Sequence, residues 1–289
     1  MAKKTTATII ADGSTIADDS ENEFLQSVKS AEDFIYKELL MILNTVNVSA
    51  GKLQTNTEAQ NFLMGIDAKI LDALKKAKYP NAVMQFVKNF KLISQNIQEV
   101  HKSLNGITVT DQSIAPILTL ERQNTIAKLT AGLQKDFVGP IRQSLYRNIF
   151  LGEGVSSIEK TVREYALSDK NKDSRLLSYV TQVSRDAVQQ FDGSIQSKIA
   201  AEFGFNGVIY IGSLIKDSRA QCRKWVEMGE LSNDVLESEI TWAMNGGEYK
   251  GLKCSGMNPD TNVATFSIYR GGYNCRHRAI PTFISPKKK

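Results

Sequence analysis

The stretch KIAAEFGFNGVIYIGSL, residues 198–214, joins two textures of chain. As far as Gly204 it reads as the end of a long helix, with glycine placed just past the last turn. Beyond the turn pair Asn206-Gly207, the run Val208, Ile209, Tyr210 and Ile211 is β-branched and aromatic, the composition of a strand. This junction sets the fold class. We expect a mainly α protein, with a long-helix N-terminal bundle or array over 21–204 and a small α+β domain over 205–285.

Upstream of the junction one period dominates. Phe24, Val28, Ala31, Ile35 and Leu39 recur at steps of three and four, as do Ile66, Ile70 and Leu74, and then Val83, Phe86, Phe90, Ile93 and Ile97. That spacing places each set on one buried helical face. Helix stops are expected at Tyr79-Pro80 and Asn105-Gly106, a short strand at 107–111, and a break in the following helix at Gly139-Pro140. His101 falls on this helical part and is expected at its surface or as a cap. Residues 1–20 are polar and read as a flexible arm, and 286–289 as a basic tail.

Downstream, residues 218–231 and 233–247 read as short helices, 250–262 as a loop, and 263–272 as a second strand. The net charge is +5, and from Asn206 onward twelve Lys and Arg face eight Asp and Glu. This is a mild basic bias, below that of a dedicated nucleic-acid binder. No apolar run approaches the ~20 residues of a membrane helix, so no membrane partner is expected.

All three cysteines, Cys222, Cys254 and Cys275, fall in the small domain, with His277 two residues after the last. Three thiols and an imidazole suit a tetrahedral structural zinc, and an extended segment turns Cys275 and His277 to the same side. A Cys222–Cys275 disulfide and an inert set of buried thiols are the other two readings. A catalytic role is disfavoured: the zinc-hydrolase, deaminase, P-loop and serine-nucleophile signatures are missing. Asp217, Arg219 and Cys222 form a second group, read most simply as a helix N-terminus in which Asp217 or Ser218 caps and Arg219 pairs with an acid.

Two blocks carry a resemblance. DSRAQC, with Asp217, Arg219 and Cys222, is followed about fifty residues later by NCRHRAIP, with Asn274, Cys275, Arg276 and Pro281. Together they resemble the C-terminal signature of phage Mu F-like minor head proteins, the phage head morphogenesis family. The preceding long helix, with Arg185, is similar as well, and the resemblance covers roughly the last 110 residues. Gly272 stands where that family has a histidine, and His277 where it has a second cysteine, a change that keeps a metal ligand.

The resemblance implies a non-enzymatic virion protein in the head interior or at the portal vertex, made in the bacterial cytoplasm and present in several copies per particle. Its implied partners are the portal protein, the major capsid protein and packaged DNA. Arg270, Arg276, Arg278, Lys287, Lys288 and Lys289 are the expected phosphate-facing charges. The alternatives are a small zinc-containing enzyme or toxin-related domain, and a helical adaptor with no viral connection.

Overall fold

A computed structural model describes residues 4–43, 48–49, 52–53, 57–273 and 275–285. It is mainly α with a small α+β region at the C-terminal end. The chain forms two compact units, neither continuous in sequence. One takes Met1–Ala17, Phe90–Glu121 and Arg185–Lys289; the other takes Asp18–Asn89 and Arg122–Ser184. These differ from the expected split at 204/205, because residues 90–121 and 185–203 pack with the C-terminal region.

The mainly helical unit draws on α1 (Thr6–Leu43), α2 (Thr57–Lys76), α3 (Tyr79–Lys88), α6 (Gly139–Phe150) and α7 (Val155–Ala166). Strands β1 (Val48–Ser49) and β2 (Lys52–Leu53) pair between α1 and α2. The periodic apolar faces are its core: Phe24, Val28, Ile35, Leu39, Ile66, Ile70, Val83 and Phe86 are all buried, and Phe24 stacks on Phe86 at 4.9 Å. The expected break at Gly139-Pro140 takes the form of wide π-helical turns at Lys128–Gly132 and Gln134–Val138. Pro140 has no N–H to give to a carbonyl one turn back, so the helix loosens before it. Tyr179 and Tyr79 donate hydroxyl bonds to the Lys128 and Leu129 carbonyls in that loosened stretch, at 2.6 and 2.8 Å. Glu32, buried on α1, accepts from the Ser174 and Ser168 hydroxyls at 2.5 and 2.8 Å. It thereby fixes the loop that leads into α8 (Arg175–Phe203).

The other unit contains α4 (Phe90–Leu104), the greater part of α5 (Asp111–Ala127), and the second half of α8. After α8 come β3 (Gly207–Ile211), α9 (Ala220–Met228), β4 (Glu230–Ser232) and α10 (Asn233–Met244). The hairpin β5 (Glu248–Tyr249) and β6 (Leu252–Lys253), the single turn α11 (Phe266–Tyr269) and β7 (Arg278–Thr282) complete it. The strand expected at 207–211 is present, at the centre of an antiparallel sheet ordered β4-β3-β7. Its core holds Tyr210, Trp225, Leu231, Leu236, Phe266 and Ala279.

Three expectations for this unit are corrected. Residues 107–110 carry no strand. The strand expected at 263–272 is the turn α11, and the second long strand is β7 instead. Pro281 lies on β7 at the sheet edge, where a missing donor is tolerated. The arm expected at 1–20 is helical from Thr6. Ile9 is buried with Val100 and Ile280, and the Asn96 side chain donates to the Ile9 carbonyl at 2.8 Å. Polar composition concealed one anchoring apolar residue.

His101 is also corrected, since it is fully buried. Its Nε2–H donates to Gln196 Oε1 at 2.7 Å, and its Nδ1 accepts from Asn105 Nδ2 at 2.9 Å. Asn105 in turn donates to the Pro281 carbonyl and accepts from the Thr282 hydroxyl at 2.6 Å. These roles need a neutral ring. Burial pushes the His101 pKa below its ordinary value, against the opposing bond to Gln196 and the charge of Asp192, while Arg278 adds to the lowering. Below pH ~6.5 the unfolded chain therefore takes up a proton that the folded chain resists. Stability should fall as pH drops from about 7 to about 5.5. Urea midpoints across that window should decline in the wild type, and the decline should be shallower in His101→Gln. Parallel profiles for the two proteins would refute the assignment.

Candidate metal centre

The centre lies where β3, α9 and the segment after α11 meet. Strand β3 alternates its side chains, sending Val208 and Tyr210 into the core. Helix α9 turns Cys222 and Trp225 to the same side, three residues apart. The stretch leading into β7 delivers Cys275 and His277. Tyr210 is packed edge-on by Trp225 at 5.5 Å and stacked by the His277 ring at 5.4 Å. All four groups are buried.

Cys222, Cys275 and His277 bring their ligand atoms within 4.8 Å of one another, so they could hold a metal. The Cys222 and Cys275 sulfurs are 3.8 Å apart, and His277 Nδ1 is 3.4 Å from the Cys275 sulfur. Zinc bonded to sulfur at ~2.3 Å and to nitrogen at ~2.0 Å, in tetrahedral geometry, needs sulfur pairs at about 3.8 Å and sulfur–nitrogen pairs at about 3.5 Å. The spacings match. His277 Nε2 is buried and has no hydrogen-bond partner among the described residues.

Gly271 borders the cluster. A Cβ built there would collide with the Cys222 sulfur and lie 3.0 and 3.2 Å from the Tyr210 oxygen and the Cys275 sulfur. The space beside these three donors exists because residue 271 has no side chain.

The electrostatics are those of a proton-sharing group. The pKa of Cys275 is held well below the ordinary thiol value, first by the bond from the Cys222 thiol and then by His277 and Tyr210, against its burial. That of Cys222 is raised by the same shared bond and by burial. Burial pushes the Tyr210 phenol well up, and the two sulfurs add to it.

Cys254 is corrected as a fourth ligand. It is buried, but it is absent from the group formed by the other two cysteines and His277. Its backbone N–H donates to the Gly247 carbonyl, and its thiol pKa is raised by burial.

The second group is corrected in its bonding. Arg219 pairs with no acid among the described residues; it donates to the Tyr273 and Gly271 carbonyls at 2.6 and 3.2 Å. Gln221 donates to the Gly271 and Ser255 carbonyls. Asp217 is exposed, and no side chain caps α9. Arg219 and Gln221 thus tie α9 to the segment that carries Cys275.

Two of the expected phosphate-facing charges are corrected as well. Arg270 is 2% exposed and donates to Asp192 at 2.8 Å, to the Gln189 carbonyl and to the Ser267 carbonyl. Arg278 takes the other oxygen of the same carboxylate at 2.9 Å. Both are committed to internal pairing. Arg276 is exposed. Asn274, Lys287, Lys288 and Lys289 lie outside the described residues.

Sequence reasoning missed Tyr210, Gln221, Asp192 and Gly271. Alternation along β3 could have flagged Tyr210, because it places that ring on the core side. Nothing local to Asp192 marks it, since both its partners are nearly eighty or more residues away. Comparison with protein-family models, curated proteins and solved structures finds no match to this chain.

Proposed function

We propose that this chain is a non-enzymatic minor head protein of a phage or prophage, acting in head assembly near the portal vertex. One observation carries the reading. The two sequence blocks that resemble the Mu F-like signature, far apart in the chain, meet in space at one buried cluster. Cys222 of the first lies 3.8 Å from Cys275 of the second, and Arg219 of the first binds the carbonyls of the loop just before the second. Residues of a signature that bond to one another act as a staple, the role expected of a structural domain. The partners on this reading are the portal and major capsid proteins, met by the helical part. Tyr146, Phe150 and Leu151 support such docking: all three are large, apolar and exposed at the end of α6, and the two rings stack at 4.2 Å. DNA contact by Arg270 and Arg278 is withdrawn from the reading, since both are paired inside the protein.

We assign structural zinc to the cluster. Two thiolates and an imidazole at tetrahedral spacing suit zinc better than the hard, oxygen-seeking cations. None of the described helices is long and apolar enough to cross a membrane.

The test of the function is a density-gradient separation of particles from a producing lysate, with quantitative mass spectrometry across the fractions. Co-migration with DNA-filled heads at a few to a few tens of copies is the expected result. Absence from both filled and empty heads would overturn the reading.

A further inference from the structure

We infer that the Tyr210 hydroxyl oxygen is the fourth donor of the metal centre, which makes it a closed Cys-Cys-His-Tyr site for a divalent cation of zinc type. This rests on the zinc assignment above and extends it. Three protein donors leave a tetrahedral ion one vertex short. The Tyr210 oxygen lies 3.5 Å from the Cys222 sulfur and 3.2 Å from the Cys275 sulfur. A phenolate bonded at ~2.0 Å beside a thiolate at ~2.3 Å would lie about 3.5 Å from that sulfur. The hydroxyl therefore already stands near the spacing of the missing vertex.

Among the described residues, other sources of the fourth donor are disfavoured by position. Cys254 is outside the cluster. Residue 272 has a left-handed φ of +101°, and a Cβ there would run into the Gly256 carbonyl, so a histidine has no room at that point. Gly271 presents only its Cα, with the Cys222 sulfur, the Tyr210 oxygen and the Cys275 sulfur around the space a Cβ would take.

The ring itself is held in place. Strand β3 is paired on both sides, Trp225 and Phe266 pack the ring at 5.5 and 5.7 Å, and His277 stacks on its face. Ligation needs no rotamer search. On binding, the ion displaces the hydroxyl proton, which leaves to buffer along with any thiol protons still present. Two thiolates and a phenolate on a 2+ ion leave one net negative charge, and the Arg219 guanidinium acts on Cys222 with the sign that offsets it.

The test uses the full chain, reduced, with Co2+ as the probe ion and azide as a competing ligand. The wild type should bind one Co2+ with thiolate charge-transfer and tetrahedral ligand-field bands, and azide should leave the spectrum unchanged. Tyr210→Phe keeps the ring and removes only the oxygen. It should bind Co2+ at least about tenfold more weakly, and its spectrum should shift on adding azide. An azide response in the wild type, or an azide-silent Tyr210→Phe with unchanged affinity, would overturn Tyr210 as a ligand and leave the zinc assignment standing. A folded, reduced wild type that binds neither Co2+ nor Zn2+ would overturn both. The azide experiment on the wild type needs no variant, so a Tyr210→Phe protein that failed to fold would leave the test intact.

Discussion

Asp192→Ala should cost the C-terminal unit about 3–5 kcal/mol of stability, the range found when one partner of a buried ion pair is removed. The reason is an imbalance of charge. Asp192 sits on α8 and gives one oxygen to Arg270 and the other to Arg278. Both guanidinium groups and the carboxylate are buried or nearly so. Without Asp192, two cations remain inside with backbone carbonyls as their main acceptors. The anchor is also topological, because it ties α8 to the residue after α11 and to the first residue of β7. Burial alone would raise the Asp192 pKa, but the Arg278 and Arg270 charges outweigh it and hold it below the ordinary carboxylate range. Its contribution is therefore complete above the unfolded pKa of ~3.9 and is lost as pH falls through the lower folded value. The only two tryptophans, Trp225 and Trp242, lie in the same unit, so urea unfolding followed by their fluorescence reports on it directly. A loss below about 1 kcal/mol would mean the pair is solvated like a surface bridge. Asp192→Asn, which keeps shape and loses charge, should fall between the wild type and Asp192→Ala.

The same pair marks a limit on what the sequence discloses. Arginines clustered near a chain end look like a charged surface, because their acid lies on another element about eighty residues upstream. The helical faces were legible for the opposite reason: a buried stripe repeats every three or four residues, so each turn restates it. The junction at Gly204 was legible because its stop and its strand signals are adjacent. The region 263–272 misled because Phe266, Ile268 and Tyr269 favour a strand, whereas local side-chain bonds wind it. Asn262 Oδ1 accepts from the Ala264 and Thr265 N–H groups, and Thr265 Oγ1 accepts from the Asn262 N–H. β7 was concealed by its leading arginine, Arg278, and by a proline, which an edge strand tolerates. In the candidate metal centre the thiols and imidazole were legible as residue types. Which three of the four expected ligands converge was not, because that depends on the pairing of β3 with β7.

Gly272→Ala is the second large effect, at about 3 kcal/mol, assembled from two costs. The residue holds φ +101°, outside the regions open to side chains, which costs an L-residue roughly 1–3 kcal/mol. The added methyl would also meet the Gly256 carbonyl and lie 3.0 Å from the Met257 Cα, both backbone atoms, so no rotamer change relieves it. The loop here is held at close quarters: the Tyr273 N–H donates to Gly256 at 3.1 Å, the Cys275 N–H donates to Gly272, and Arg219 grips the carbonyls on either side. Displacing residue 272 therefore displaces Cys275, three residues on. The variant should both melt earlier and expose Cys275 to a thiol reagent that reaches the wild type slowly. A neighbouring control separates strain from general fragility: Gly246→Ala changes an equally left-handed turn glycine, φ +73°, with nothing within 4 Å of the new methyl. It should cost about 1 kcal/mol and leave Cys275 protected. Equal losses from the two substitutions would show that backbone conformation alone is being measured, and that the loop over the Cys222–Cys275–His277 cluster is not tightly packed.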